Sequence, residues 1–281
     1  MSVFVDPFVS NAFMLRALIA GGLVAVACAI VGTLVVLRGM AFIGDALAHG
    51  VLPGVAVSIL LGVPGILGAA AGAVVMIGGI SLITRRSRLP TDTAIGLLFV
   101  GMLALGVLIV SRASSFSGHL VNVLFGEILG ISRRAIFIQL GATVAVALTA
   151  AVCARPFLLL SFSPEQAQAA GFSARRYHSI MLALIAVTII VSFQTVGTLL
   201  VFGMLLAPAG AGALVARRIG SMMAWAAVFG LYSVYAGLLA SYHFDLAAGS
   251  AIVLTATVIF FAVLIVTSER NRRARGKVPL P

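Results

Sequence analysis

Residues 17–37 read ALIAGGLVAVACAIVGTLVVL and contain no charged side chain. At about 1.5 Å of rise per residue, a helix of this length crosses a hydrocarbon core about 30 Å thick. Arg16 before the run and the small residues Ala27-Cys28-Ala29 within it are also typical of a signal peptide with its cleavage site. Because the apolar run continues to Leu37, we expect a retained transmembrane helix.

The composition of the whole chain also indicates that the protein lies in a lipid bilayer. Of its 281 residues 62% are hydrophobic and 9% are charged, a balance that a water-soluble fold could not cover with polar surface. The formal net charge of +11 comes from short basic clusters between apolar runs, which indicate membrane topology rather than nucleic-acid binding. Cys28 and Cys153 both lie within apolar runs, so we expect buried free thiols and no disulfide framework.

Further apolar runs predict an all-α polytopic membrane protein with eight or nine transmembrane helices. The additional spans are expected at 41–61, 63–84, 91–111, 135–158, 177–197, 198–216, 221–241 and 246–267. Alternation of nine spans places most arginines on the cytoplasmic side and the amino terminus outside. The chain then divides into an extracytoplasmic segment (1–12), a permease domain (13–268) and a basic cytoplasmic tail (269–281).

Residues 113–134 do not fit this alternation. They are too polar for a clear span, and Arg112, Arg133 and Arg134 would fall on the outer side. Irregular backbone at membrane depth is tolerated only when it is buried in protein or faces water. We therefore expect a re-entrant or interfacial helix in this segment.

Asp45 and His49 are the ionisable residues that stand out within an apolar run. A charge at the centre of a membrane helix costs about 2.5 to 3.5 kcal/mol, so such residues mark a pathway or a pair. Four residues apart, they share one face of a helix, and carboxylate oxygen and imidazole nitrogen both suit Mn²⁺ or Zn²⁺. A site of few ligands also releases its ion, as a conduit requires. An intrahelical pair near a cytoplasmic helix end is the alternative interpretation.

The other three histidines are weaker candidates for a metal site. His119 lies in the polar segment, His178 follows Arg175 and Arg176 where a solvated loop is expected, and His243 lies in a short outer loop. We expect surface or interfacial roles for all three.

A short polar segment between two spans predicts a separate cytoplasmic helix. Ser163-Pro164 is a helix-start signal, and Gly171 is a stop about two turns later. Such a helix either binds a partner or lies as an amphipathic element on the membrane surface.

At these residues the chain resembles the manganese and zinc ABC-3 permease family. The strongest match is Arg38-Gly-Met-Ala-Phe-Ile-Gly44-Asp45-Ala-Leu-Ala-His49-Gly-Val-Leu-Pro53-Gly54. Five further segments match in the same order: Asp92-Thr-Ala-Ile-Gly96, Leu124-Phe-Gly126-Glu-Ile-Leu-Gly130, Pro164-Glu165 to Gly171, Val196-Gly197 through Pro208-Ala209, and Asp245-Leu-Ala-Ala-Gly249. The resemblance covers residues 13 to about 268.

The resemblance implies the membrane subunit of an ATP-driven metal importer in a prokaryotic plasma membrane. Its expected partners are a second permease copy, two cytoplasmic ATPase subunits and an extracytoplasmic metal-binding protein. Asp45 and His49 would line the path of transported Mn²⁺ or Zn²⁺, with no permanently bound cofactor. The helix with Pro164, Glu165, Ala167 and Gly171 would couple the permease to the ATPase.

The residues support this division of labour independently. Lys277 is the only lysine in the chain and lies in the basic tail, so no Walker-type phosphate loop exists here and ATP is hydrolysed by another chain. An ion-gradient-driven carrier could use Asp45, but it would leave the short cytoplasmic helix without a purpose. An intramembrane metalloenzyme lacks the HExxH motif and a third ligand. The ligand types do not separate manganese from zinc or iron.

Overall fold

The computed structural model describes residues 2–111 and 130–275. Within these ranges the chain forms helices and no β-strand. The helices are α1 (Ser2–Ser10), α2 (Ala12–Leu37), α3 (Ala41–Gly50), α4 (Leu52–Leu60), α5 (Gly65–Arg86), α6 (Thr91–Ser111), α7 (Arg133–Val152), α8 (Ala154–Phe162), α9 (Pro164–Ala169), α10 (Ala174–Val196), α11 (Thr198–Val215), α12 (Ile219–Phe244) and α13 (Ala248–Arg275).

Eight segments of the described chain are long and apolar enough to cross a membrane. They are Ala12–Leu37, Ala41–Leu60, Gly65–Thr84, Thr91–Ile109, Arg133–Val152, Ala174–Phe193, Ile219–Phe244 and Ala248–Arg270. A shorter apolar helical stretch, Leu200–Val215, corresponds to the remaining expected span. The all-α polytopic fold predicted from the sequence is therefore confirmed, with helix bounds that differ by a few residues.

Helix α2, the run that predicted a membrane protein, forms the centre of the bundle. It packs against α7, α10, α11 and α12, and 67% of its most apolar stretch is buried. Cys28 and Cys153 are both buried and free, as expected from their apolar surroundings. Helix α1 was not predicted; it packs on α2, and its Phe8 ring stacks on Tyr235 at 5.4 Å between centroids.

Two of the expected spans are interrupted, and a proline follows each interruption. Helix α3 ends at Gly50 and α4 begins at Leu52; α7 ends at Val152 and α8 begins at Ala154. Pro53 and Pro156 have no amide hydrogen to donate to the carbonyl four residues earlier, and their rings crowd that turn. At both places a single residue lies between the two helices.

Small residues let α4 and α5 approach at backbone distance. A Cβ at Gly54 would lie 2.0 Å from the carbonyl oxygen of Gly68, and one at Gly68 would lie 2.1 Å from that of Gly54. The small-residue spacing of α5 thus serves packing within one chain, where Gly72 similarly faces the backbone of Val51. This contact fixes α4, and with it the end of α3, against α5.

Helices α10 and α11 follow each other without a loop. Gly197 separates them with a φ of +84°, a conformation that residues with a Cβ rarely adopt. The turn agrees with the two adjacent spans predicted at 177–197 and 198–216. At the other end of the chain, α13 continues to Arg275 and includes the first residues of the segment predicted as a tail.

The predicted re-entrant or interfacial helix at 113–134 falls mostly outside the described residues, as do His119 and most of the Leu124–Gly130 segment. The described part begins at Gly130. Arg133 and Arg134 lie exposed in the first turn of α7, whose N-cap Ser132 accepts a hydrogen bond from the amide of Ala135 at 3.2 Å.

Candidate metal-binding site

Helix α3 presents Asp45 and His49 as a pair. The Oδ1 of Asp45 and the Nε2 of His49 are 3.3 Å apart, and the two side chains are 32% and 25% exposed. The shared helix face predicted from their spacing is therefore present. Neither side chain is sealed inside the protein, so an ion can reach both.

The packing of α3 determines where the pair points. A Cβ at Gly44, the residue before Asp45, would lie 2.7 Å from a methyl carbon of Leu205, so this face of α3 is pressed against α11. The pair faces α6 instead, where the Phe99 ring meets the His49 ring edge-on at 5.7 Å between centroids. Because one face of α3 packs closely on α11, the side chains of Asp45 and His49 point toward α6.

A cavity of about 480 Å³ opens between α3 and α6 beside this pair. Its walls include Phe42, Asp45, Asp92, Thr93, Phe99 and Val100. Asp92, in α6, adds a second carboxylate to the cavity lined by Asp45, although the two residues are more than 40 positions apart in the sequence. Sequence reasoning did not identify Asp92 as a site residue, although the segment that begins with it was one of the family matches.

The second ring nitrogen of His49 distinguishes this histidine from an ordinary ion-pair partner. Its Nδ1 is buried and has no hydrogen-bond partner among the described residues. A buried polar nitrogen without a partner costs about 1 to 3 kcal/mol. Histidines that bind metals usually donate their second N–H to a neighbouring group, and the described chain offers His49 no such group. The imidazole is under-satisfied within one chain, which is more typical of a functional site than of a stabilising contact.

The distance within the pair suits two ligands of one cation. Ligands about 2.1 Å from an ion, at angles between octahedral and tetrahedral, lie about 3.0 to 3.4 Å from each other. The observed 3.3 Å falls in this range. Among the described residues, however, no group of three or more His, Cys, Asp or Glu could hold a metal. One chain thus offers two ligands of what would be a larger set.

His178 lies in a different environment from the solvated loop that the sequence suggested, and that expectation is wrong. It lies half-buried in the second turn of α10, where its Nδ1 is 2.9 Å from the Nη1 of Arg38. Arg38 also donates to the carbonyl oxygen of Leu160 at 3.5 Å and approaches the sulfur of Met181 at 3.7 Å. His178 is therefore an internal contact of the bundle.

His243 is also not in a loop. It lies exposed in the last turn of α12, beside the Tyr242 ring at 5.5 Å between centroids. The turn that follows begins at Asp245, whose φ of +51° ends the helix.

The short helix expected between two spans is present as α9 (Pro164–Ala169). The Ser163 hydroxyl caps it by accepting a hydrogen bond from the amide of Gln166 at 3.3 Å, and Gly171, with a φ of +83°, ends the turn. Glu165 is exposed, whereas Ala167 is fully buried. Ala167 therefore packs α9 on its own chain.

Helix α9 rests on both of its neighbours, α8 and α10. Beyond Ala167, residues 168–171 are exposed, as are residues 165 and 166. The helix thus has one anchored residue and a largely free outer surface. Nothing about this arrangement resembles a helix buried within a bundle.

A helical bundle with an ionisable pair beside an open cavity defines the class of this molecule, a polytopic membrane transport protein. The chain belongs to the ABC 3 transport family, whose model matches residues 10–267. The family resemblance stated from the sequence is therefore confirmed over nearly the whole chain.

Individual relatives are similar along their full length. The chain is 35% identical to the manganese transport system membrane protein MntC of Halalkalibacterium halodurans, over 99% of this chain and 96% of that protein. It is 33% identical to the chelated iron transport system membrane protein YfeD of Yersinia pestis, over 99% and 93% of the two chains. The solved structure of PsaBC from Streptococcus pneumoniae in complex with Fab superposes with a TM-score of 0.83 at 35% identity, over 92% of this chain and 94% of that one.

Proposed function

We propose that this chain is the membrane permease subunit of an ATP-driven importer of a divalent transition metal, with Mn²⁺ as its principal cargo. The observation that carries the proposal is the separation of 3.3 Å between the Asp45 Oδ1 and the His49 Nε2, beside a cavity in a membrane bundle. The names of its relatives, which include manganese and chelated-iron transport proteins, favour manganese as cargo over zinc.

The ligand count favours two copies of the chain in the working complex. One copy offers two ligands, and a two-fold axis close to α3 would bring two carboxylates and two imidazoles together. Such a set of four oxygen and nitrogen ligands suits Mn²⁺, Zn²⁺ and Fe²⁺ alike, so selectivity also depends on supply and on the geometry that the two chains impose. The buried Nδ1 of His49 would then find its partner when the site is assembled or occupied.

The energy source belongs to other subunits in this proposal. The chain contains a single lysine, Lys277, and no phosphate-binding loop built around a lysine. Two ATPase subunits would dock on the exposed surface of α9, where Glu165 and Gly171 are accessible. An extracytoplasmic binding protein would deliver the metal. Movement of α9 on ATP binding would open the inner end of the metal path.

The test is uptake of radioactive ⁵⁴Mn²⁺ into liposomes that contain the permease, its ATPase and its binding protein. Replacing Asp45 with Asn removes the charge while keeping the shape, and we expect roughly a tenfold or greater loss of uptake with basal ATP hydrolysis retained. The matched control is Glu269→Gln, which removes the charge of an exposed carboxylate on α13 and should leave uptake unchanged.

Three results would contradict separate parts of the proposal. Undiminished uptake by the Asp45→Asn variant would remove Asp45 from the metal path. Uptake that persists without the ATPase would favour an ion-gradient-driven carrier. Competition in which Zn²⁺ or Fe²⁺ displaces Mn²⁺ at equal concentration would reassign the cargo while leaving the permease role in place.

A further inference from the structure

We propose that Arg38 is a positioning residue. It would connect α3, the helix that carries Asp45 and His49, to the helices around α9, so that a displacement of α9 also moves Asp45 and His49. This inference rests on the proposed function, because it concerns how ATP-driven movement would reach the metal path.

Arg38 stands at a short and tightly bonded connection. Only Gly39 and Met40 separate it from α3, and the backbone amide of Arg38 donates to the carbonyl oxygen of Leu34 at 3.2 Å. The amide of Met40 donates to Val35 at 3.1 Å, and the Met40 side chain is buried. These bonds hold the turn on the end of α2, and the amide of Ile43 in α3 donates to the carbonyl oxygen of Met40 at 3.0 Å. Through this short turn, a shift of Arg38 is passed to the start of α3.

The side chain of Arg38 reaches the residues on either side of α9. Its Nη2 donates to the carbonyl oxygen of Leu160, four residues before Pro164, and its Nη1 contacts His178, in the second turn of the helix that follows α9. One guanidinium therefore contacts α8 and α10, the two helices on which α9 rests. A tilt of α9 that displaces either helix moves one of these contacts.

The contact with Leu160 has a cause in the sequence. In a continuous helix the carbonyl of Leu160 would accept a hydrogen bond from the amide four residues later, but that residue is Pro164, which has no amide hydrogen. The proline that starts α9 thus leaves a carbonyl oxygen free, and the Arg38 guanidinium supplies a donor at 3.5 Å. The contact is therefore made in the last turn of α8, directly before α9 begins.

The guanidinium also needs these acceptors. Arg38 is half-buried, and burial lowers the pKa of its guanidinium because desolvation disfavours the charged form. A half-buried cation with five donors is stabilised by acceptors placed in its plane. The His178 Nδ1 at 2.9 Å is one of them, with the ring in its neutral form accepting the hydrogen bond. Loss of the His178 acceptor would leave the guanidinium held beside α9 by the longer contact with the Leu160 carbonyl at 3.5 Å.

The experiment measures Mn²⁺ transported per ATP hydrolysed by the complete importer in liposomes. For Arg38→Ala we expect this ratio to fall roughly fivefold or more, while Mn²⁺ binding to the permease and basal ATP hydrolysis persist. His178→Phe, which removes the acceptor, should lower the ratio in the same direction, and His178→Gln, which keeps one, should restore most of it. Arg88→Ala, at an exposed arginine, is the control and should leave the ratio unchanged.

The outcomes separate the two proposals. A ratio for Arg38→Ala equal to that of the wild type, or a lower uptake that only follows lower protein yield or thermal stability, would overturn the positioning role. If Arg38→Ala does not fold, equal ratios for His178→Phe and His178→Gln would overturn it instead. Absence of ATP-dependent Mn²⁺ uptake by the wild-type complex would refute the proposed function, and this inference with it.

Discussion

Two half-buried histidines of this protein have charged neighbours that differ in sign: one lies beside a carboxylate and the other beside a guanidinium. His49 has a carboxylate oxygen of Asp45 at 3.3 Å, on the same helix, while His178 has a guanidinium nitrogen of Arg38 at 2.9 Å, from a segment 140 positions away. Both histidines lie on helices that are apolar enough to span a membrane. The two sites have the same residue type and a similar degree of burial, and they differ in the charged residue that contacts the histidine.

The sign of the partner separates their roles. A carboxylate beside an imidazole offers two lone-pair donors to a cation and carries the charge that a cation needs. A guanidinium beside an imidazole repels a cation and requires the ring to be neutral, so the contact can only join two parts of the chain. The first pair is local, and its Asp45 lines a cavity. The second pair is long-range and has none of the properties of an ion site.

Reversing the sign of the first pair should have the largest effect. Asp45→Lys places a cation beside His49 and gives this pair the charge pattern of the second. We expect ⁵⁴Mn²⁺ uptake to fall about a hundredfold, to the background of empty liposomes, because a like charge excludes the ion from its path. The control is Glu269→Lys, which makes the same replacement at an exposed position. Measurable uptake by Asp45→Lys would show that the ion takes another route.

Placing a permanent cation in the second pair should weaken coupling without blocking the path. In His178→Lys two positive groups meet where the ring and the guanidinium are 2.9 Å apart, so Arg38 is displaced. We expect Mn²⁺ transported per ATP to fall about tenfold, with Mn²⁺ binding retained. His243→Lys adds the same charge at the exposed end of α12 and serves as the control. Loss of Mn²⁺ binding in His178→Lys would assign His178 to the metal path.

Asp92 extends the first pair into the cavity and should have a moderate effect. The carboxylate lines the cavity with Asp45 but is not part of a ligand group of three, so it should attract the ion rather than bind it. For Asp92→Asn we expect the KM for Mn²⁺ to rise about threefold with the maximal rate unchanged. Thr93→Val, a neutral change in the same wall, should alter neither quantity. A loss of maximal rate as large as that of Asp45→Asn would make Asp92 a ligand.

The smallest effect is expected at the cap of α9, next to the second pair. Ser163→Ala removes the acceptor for the amide of Gln166 and should cost about 1 kcal/mol at this helix end. Hydrogen exchange of that amide should accelerate about fivefold, while Mn²⁺ uptake falls less than twofold. Ser161→Ala, whose hydroxyl bonds the carbonyl of Phe157 instead, is the control. Unchanged exchange at Gln166 would mean that the cap does not hold α9.

The first pair was visible in the sequence because it is local. Asp45 and His49 are four residues apart, and helical geometry alone brings them together. The apolar runs likewise predicted the spans, since length and hydropathy decide which helices cross a bilayer. The breaks after Gly50 and Val152 could have been inferred from Pro53 and Pro156, which mark both positions in the sequence.

The second pair and the cavity could not be predicted in this way. Arg38 and His178 are brought together by the packing of α2 and α10, and nothing near His178 in the sequence indicates that Arg38 will contact it. Asp92 reaches the cavity of Asp45 because α6 packs on α3. In a chain of similar apolar helices, many ways of packing the helices together satisfy the same hydropathy pattern. Long-range polar contacts can therefore be identified only from the folded structure.

The role of the first pair can be tested most directly by electron spin echo spectroscopy of Mn²⁺ bound to the permease in lipid nanodiscs. A directly bound imidazole couples its nitrogen nucleus to the electron spin of the metal. We expect this nitrogen signal in the wild type and in His178→Gln, and its loss in His49→Gln. A nitrogen signal that persists in His49→Gln, or bound Mn²⁺ with no nitrogen coupling in the wild type, would contradict the assignment of His49 as a metal ligand.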